Sequence, residues 1–136
     1  MPVGIVVDTN VVIRFLTKTP ADQYQRAFAL MERANAGEID LRLSAAVVAE
    51  VAAVLHHLFK RPQDDVAGTL LELVSARGVI VEEEGIVRRS LEHSRELKDI
   101  DFIDAYVAVK ARDEGLPVAS FDKNLHKRLG TNVFPL

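Results

Sequence analysis

Residues 3–16 read VGIVVDTNVVIRFL, and the change of character at position 8 sets the fold class. Val3 to Val7 is an apolar, β-branched run broken only by Gly4. With no polar residue alternating through it, it predicts a strand buried on both faces. Asp8-Thr9-Asn10 ends the run, and a short amphipathic helix is expected to follow to about Leu16, with Pro20 beyond its end.

Working outward, helical and strand-like stretches alternate along the chain. Ala21 to Ala36 carries Ala27, Leu30, Met31 and Ala34 at helical spacing and is closed by Gly37. Leu41 to Leu43 predicts a second strand, and Ser44 is a suitable N-cap for a helix over Ala45 to Phe59. Pro62 suits the first turn of a helix reaching Ala76. Gly78 leads into a strand over Val79 to Val81, and a helix is expected over Glu83 to Leu97. Asp101 caps a helix ending near Gly115, Pro117 to Ser120 predicts a fourth strand, and Thr131 to Phe134 a fifth. This order implies an α/β domain whose mainly parallel sheet of about five strands is covered by helices on both faces. Sites in such sheets form beyond the carboxyl ends of strands, where Asp8 and Asp122 both fall.

Composition narrows the function. The 136 residues suit one domain over 1–136, and 49% hydrophobic with 27% charged residues is a globular balance. With no cysteine, disulfide scaffolds and thiolate metal sites are excluded. His56, His57, His93 and His126 show no zinc-site spacing. No apolar run approaches the ~20 residues of a membrane span, and no signal-peptide pattern opens the chain, so a cytoplasmic protein is expected. The net charge of −3 argues against broad nucleic-acid binding but leaves room for a local basic groove.

Four acidic positions stand out. Asp8 closes a strand, and either a helix cap or a functional role accounts for it. A phosphatase of the haloacid dehalogenase type also begins with strand and Asp, but needs a second carboxylate two residues on, where this chain has Asn10. Glu50 interrupts a run of Ala, Val and Leu from Ala45 to Leu55. Its helical neighbours Ala46, Val47, Ala53 and Val54 offer no cation, so it is either compensated by something else or lies on the helix's one wet stripe. Asp104 falls at the third position of the helix capped by Asp101, where the helix dipole alone favours an acid. Asp122 can cap a following short helix. Together they form an oxygen donor set suited to Mg²⁺ or Mn²⁺, whose charge would relieve their mutual repulsion.

The stretches VVDTNVVIRFL, SAAVVAEVAAVL, DFIDAYVAVKARDEG and VASFDKNL, in that order, resemble the PIN-domain family, in particular VapC-type toxin ribonucleases of toxin–antitoxin systems. The resemblance spans essentially the whole chain. It implies that Asp8, Glu50, Asp104 and Asp122 are the catalytic, metal-binding carboxylates, with Thr9, Asn10, Asp101 and Ser120 supporting them. It further implies endoribonuclease activity with Mg²⁺ or Mn²⁺, an RNA substrate, homodimerisation and a small cognate antitoxin. Ser120 stands where threonine is more usual, and Ala52-Ala53 where relatives often carry a bulky aromatic residue, which bears on the partner surface.

Arg14, Lys18, Lys123, Lys127 and Arg128 follow Asp8 or Asp122 closely. Arg14 and Lys123 are the expected phosphate contacts. Phe15, Phe28, Leu55 and Phe59 are expected in the core or on a protein-binding patch, and an apolar groove for an antitoxin segment is expected between the early helices and the Ala45 to Phe59 helix. Two other readings compete. One is a non-catalytic PIN-like module that binds RNA or protein with a vestigial acidic pocket. The other is a receiver-like signalling domain, for which neither an acceptor aspartate on a central strand nor a suitable late lysine is evident.

Overall fold

Parallel strands need long crossovers, and this chain supplies them as helix pairs. In the computed structural model, which describes Pro2–Leu136, β1 (Val3–Val6) leads through α1 (Thr9–Thr17) and α2 (Ala21–Asn35) to β2 (Ile39–Leu43). From β2 the chain passes through α3 (Ala45–His57) and α4 (Gln63–Val74) to β3 (Val79–Val81). Then α5 (Glu84–Glu96), α6 (Phe102–Glu114) and α7 (Lys123–Leu129) follow. The sheet is parallel with order β1-β2-β3, pairing Ile5 with Leu41 and Leu41 with Val79.

Local chemistry accounts for the element ends. Ser44 caps α3 by accepting a hydrogen bond from the Val47 N–H at 3.1 Å. Pro62 sits one residue ahead of α4, as its N-cap. Gly115 ends α6 in the left-handed region. Gly78 does more than turn the chain. At φ +83° its missing Cβ would collide with the Ala34 carbonyl, so α2 packs directly on the turn that enters β3.

The sheet departs from expectation in three ways. It has three strands among the described residues, not about five. The segments expected as fourth and fifth strands meet in a single parallel bridge, Val118 with Val133. That bridge is held by Val118 N–H to Asn132 O at 2.7 Å and Phe134 N–H to Val118 O at 2.9 Å. Only Val118 of this pair of segments is buried, while Leu116, Val133 and Phe134 are exposed. One buried side chain gives too little apolar contact to hold a strand, and Pro117 brings no N–H.

Second, β1 is an edge strand rather than one buried on both faces, with Val3 64% and Val6 82% exposed. Third, the flanking helices cover one face only. Ile39, Leu41, Leu43, Val79 and Val81 are buried, while Val6, Arg42 and Ile80, which share the opposite face, are exposed. Arg42 crosses that bare face above Gly4, where an added Cβ would lie 2.8 Å from its Nε.

The main core joins the sheet's covered face to Val12 and Ile13 of α1, Val48, Val51 and Leu55 of α3, and Val87 and Leu91 of α5. A smaller cluster of Ile100, Ala105, Ala108, Val118, Leu125 and Leu129 holds α6, α7 and the bridge together. No helix is long and apolar enough to cross a membrane among the described residues.

Candidate functional site

The sheet continues one residue past β1, because Val7 is buried and its N–H reaches Arg42 O at 3.1 Å. Asp8 is thus delivered at the strand's carboxyl end and at the N-cap of α1, with φ −89° and ψ 157°. Its backbone carbonyl receives Val11 N–H at 3.2 Å and Val12 N–H at 3.5 Å. Its side chain makes no capping bond. The residue is exposed and its carboxylate has no hydrogen-bond or ion-pair partner among the described residues, although the position is one where an aspartate usually caps. It lines a pocket of about 220 Å³ with Thr9, Asn10, Ile13, Arg14, Glu50 and Val54.

Glu50 reaches that pocket from α3. The helix buries Val48, Val51, Ala52 and Leu55, leaving Ala46, Glu50 and Ala53 on its wet side. Of the two accounts open for Glu50, the exposed stripe is the one observed, and the stripe borders Asp8. The space between α1 and α3 is of mixed character, with Ile13 and Val54 beside Asp8, Asn10, Arg14 and Glu50, where an apolar groove was expected.

A second acidic group lies at the start of α6 and α7. Asp101 caps α6 by accepting Asp104 N–H at 2.8 Å. Asp122 caps α7, accepting Asn124 N–H at 2.9 Å and Leu125 N–H at 3.1 Å. The Ser120 hydroxyl accepts Asp122 N–H at 3.0 Å. His126 braces this loop, with Nε2 3.3 Å from Ser120 O and Nδ1 2.6 Å from Thr131 Oγ1. A carbonyl only accepts, so Nε2 carries a proton and, in the neutral ring, Nδ1 receives the Thr131 hydroxyl. Burial pushes the Asp104 carboxyl above the ordinary carboxylate range, helped by the nearby charges of Asp101 and Asp122 and a hydrogen bond with Asp101.

The fold thus brings Asp8 and Glu50 to one pocket, and Asp101, Asp104 and Asp122 within electrostatic reach of one another. No three His, Asp or Glu side chains lie close enough together to hold a metal ion among the described residues. The donor chemistry nonetheless fits a hard cation. Mg²⁺ is commonly bound through one or two carboxylates plus water and substrate phosphates, and Asp8 with Glu50 supplies that number. Outside these groups, Glu83 is engaged by Lys110 at 2.5 Å and Tyr106 at 2.6 Å, which hold its carboxyl below the usual range.

Of the supporting residues, Thr9 is buried, and Asn10 and Arg14 border the Asp8 pocket. Lys123 is exposed at the first position of α7. One residue escaped the sequence reading. Arg26 of α2 lines a cavity of about 420 Å³ with Asn10, Val11, Arg14, Gln23, Ala27 and Leu30. Nothing near Arg26 in the sequence signals this, because only the packing of α2 on α1 brings it beside Arg14.

A family model described as PIN domain matches residues 5–130, a span that includes all the acidic residues described above. No curated protein matches the chain.

Proposed function

The chain belongs to the PIN domain family, whose members are typically metal-dependent nucleases, and on that premise we propose that it is a metal-dependent endoribonuclease. The reading extends to the toxin of a toxin–antitoxin pair, cytoplasmic, homodimeric and held inactive by a small cognate antitoxin. The observation that carries the nuclease reading is the Asp8 carboxylate, released from capping and sharing a pocket with Glu50.

In this reading Asp8 and Glu50 hold the Mg²⁺ or Mn²⁺ ion, and Asp104 and Asp122 complete the acidic set. When bound, such a cation activates water and neutralises charge on a phosphodiester. The chain's own residues do the rest. Thr9 and Asn10 line the pocket beside Asp8, and Asp101 and Ser120 fix the backbone at Asp104 and Asp122 by accepting their N–H groups. Arg14 and Lys123 draw the RNA phosphates to the acidic pocket by charge, without reading bases. The exposed Leu58 and Phe59 beyond α3 offer apolar contact for the antitoxin.

A non-catalytic binding module is the second reading, favoured by the lack of any three acidic or histidine side chains clustered for a metal among the described residues. One experiment separates them. Pure protein is incubated with structured RNAs in Mg²⁺, Mn²⁺ or EDTA, beside Asp8→Asn. Cleavage that needs metal and is lost in the variant supports the nuclease; RNA binding without cleavage in any metal supports the module.

A further inference from the structure

We propose that Arg26, with Arg14, forms an anion subsite that seats the phosphate next to the one cleaved, making α1–α2 the entry path of single-stranded RNA. The proposal rests on the nuclease reading above and adds a substrate-positioning residue to it.

The cavity between α1 and α2 holds about 420 Å³ and is lined by two arginines and no carboxylate. That volume lies within the range of ligand sites. Arg14 Nε is oriented by Gln23 Oε1 at 2.8 Å, which leaves its terminal nitrogens without a protein acceptor among the described residues. Arg26 has neither an ion pair nor a hydrogen bond from its side chain among the described residues. Arg33, Arg61, Arg88 and Arg89 each pair with a carboxylate, whereas Arg42, Arg77, Arg95 and Arg128 are as unpaired as Arg26 among the described residues. What sets Arg26 apart is its place in a cavity shared with Arg14. Arg26 is exposed and Arg14 half-buried, and an anion seated between their guanidinium groups would relieve whatever repulsion solvent leaves between them.

Position makes the anion a substrate group. Asn10 and Arg14 line both this cavity and the acidic pocket of Asp8 and Glu50, so the two spaces adjoin. A polymer with a negative charge at every nucleotide can place one phosphate at the carboxylates and the next at the arginines. Val11, Ala27 and Leu30 give the cavity an apolar wall, suited to the carbon face of a ribose. Arg26 touches no reacting atom in this arrangement and is a positioning residue.

The test uses a short fluorescein-labelled single-stranded RNA of mixed sequence, binding to the full chain in EDTA, with anisotropy read across a salt series. The proteins are wild type, Arg26→Gln, Arg26→Lys and the surface control Arg77→Gln. Arg26→Gln should weaken binding by about threefold to tenfold at low salt and flatten the log-affinity against log-salt slope by about 0.7, the loss of one single-strand phosphate contact. Arg26→Lys should restore most of the slope, and Arg77→Gln should match wild type. With Mn²⁺, Arg26→Gln should raise KM while leaving kcat near the wild-type value. Equal affinity, slope and KM in wild type and Arg26→Gln overturn the subsite while the nuclease reading stands. A wild type that neither binds nor cleaves RNA removes the nuclease reading and the subsite with it. An Arg26 dependence seen only for a co-purifying protein, and not for RNA, also overturns the proposal.

Discussion

Asp8 and Asp122 occupy matching places in two regions of the molecule: each follows an extended segment and precedes a helix. Their carboxylates nonetheless behave differently. At Asp122 the side chain accepts two backbone N–H groups of α7. At Asp8 it accepts none. The two extended segments also differ in what holds them. β1 is paired with β2, and Val7 continues the ladder, so the sheet fixes the chain up to Asp8. The Val118 segment has one bridge and a small cluster behind it, and Phe121 beside Asp122 is 89% exposed. Sheet pairing alone does not free a terminal side chain, since Ser44 follows the paired strand β2 and still caps α3. It is Asp8 that stays free while Asp122 holds the start of α7.

That contrast should appear most strongly in cleavage. Asp8→Asn is expected to lower Mn²⁺-dependent RNA hydrolysis by more than roughly a hundredfold, since the residue is proposed as a ligand rather than as support. Its metal-free stability should change by no more than ~0.5 kcal/mol, because no capping bond is lost. A urea titration beside the activity assay checks both. A cleaving Asp8→Asn variant would break the comparison at its stronger end.

Metal-induced stabilisation is the next effect in size. At a hundredfold excess of Mn²⁺ over Kd, the wild type should gain about 2.7 kcal/mol. Asp8→Asn should lose nearly all of that gain and Asp122→Asn only part of it, as read from thermal melts with Mn²⁺ and with EDTA. Equal losses would mean that the two carboxylates serve the ion alike.

Capping gives a smaller and opposite signature. Asp122→Ala should cost ~1 kcal/mol of metal-free stability, as should Ser44→Ala, whose hydroxyl makes the same kind of bond to α3. Asp8→Ala should cost clearly less. Chemical denaturation of the three variants in EDTA ranks them, and a larger loss for Asp8→Ala than for Asp122→Ala would reverse the contrast.

The smallest expected effect concerns Asp104. A carboxyl whose folded-state pKa is raised destabilises the fold when ionised. The protein carries that cost above the folded-state pKa and sheds it as pH falls to the ordinary carboxylate value and below. Asp104→Asn should therefore be slightly more stable than wild type at neutral pH without metal, and the difference should vanish in acid. Thermal melts in EDTA across that range decide it. A variant less stable than wild type at neutral pH would mean that the helix dipole dominates, and that Asp104 acts as a helix-start residue.

Much of this was legible in the residues. Ser44, Pro62, Gly78, Asp101 and Gly115 each mark an element boundary that the structure reproduces, because capping and left-handed turns depend on a few adjacent atoms. The run Val3–Val7 shows why strand burial is harder to read. Its composition is that of an interior strand, yet among the described residues no strand lies on the far side of β1 and no helix covers Val6. Pro117–Ser120 is similar in kind: its apolar residues permit a strand, but a strand needs a neighbour to complete its hydrogen bonds.

By itself the sequence determined the alternation of helix and strand, the parallel sheet of the first half, and the acidic residues at element ends, all through short-range preferences. Tertiary structure alone decided that Asp8 faces the same pocket as Glu50, that Asp122 caps its own helix through Oδ1, and that Arg26 stands beside Arg14. The physical reason is one of range. Capping and periodicity act within a few residues along the chain. Pockets, like-charge crowding and the freedom of a carboxylate depend on which surfaces pack together, and here α2 on α1 and α3 beside α1 settle them.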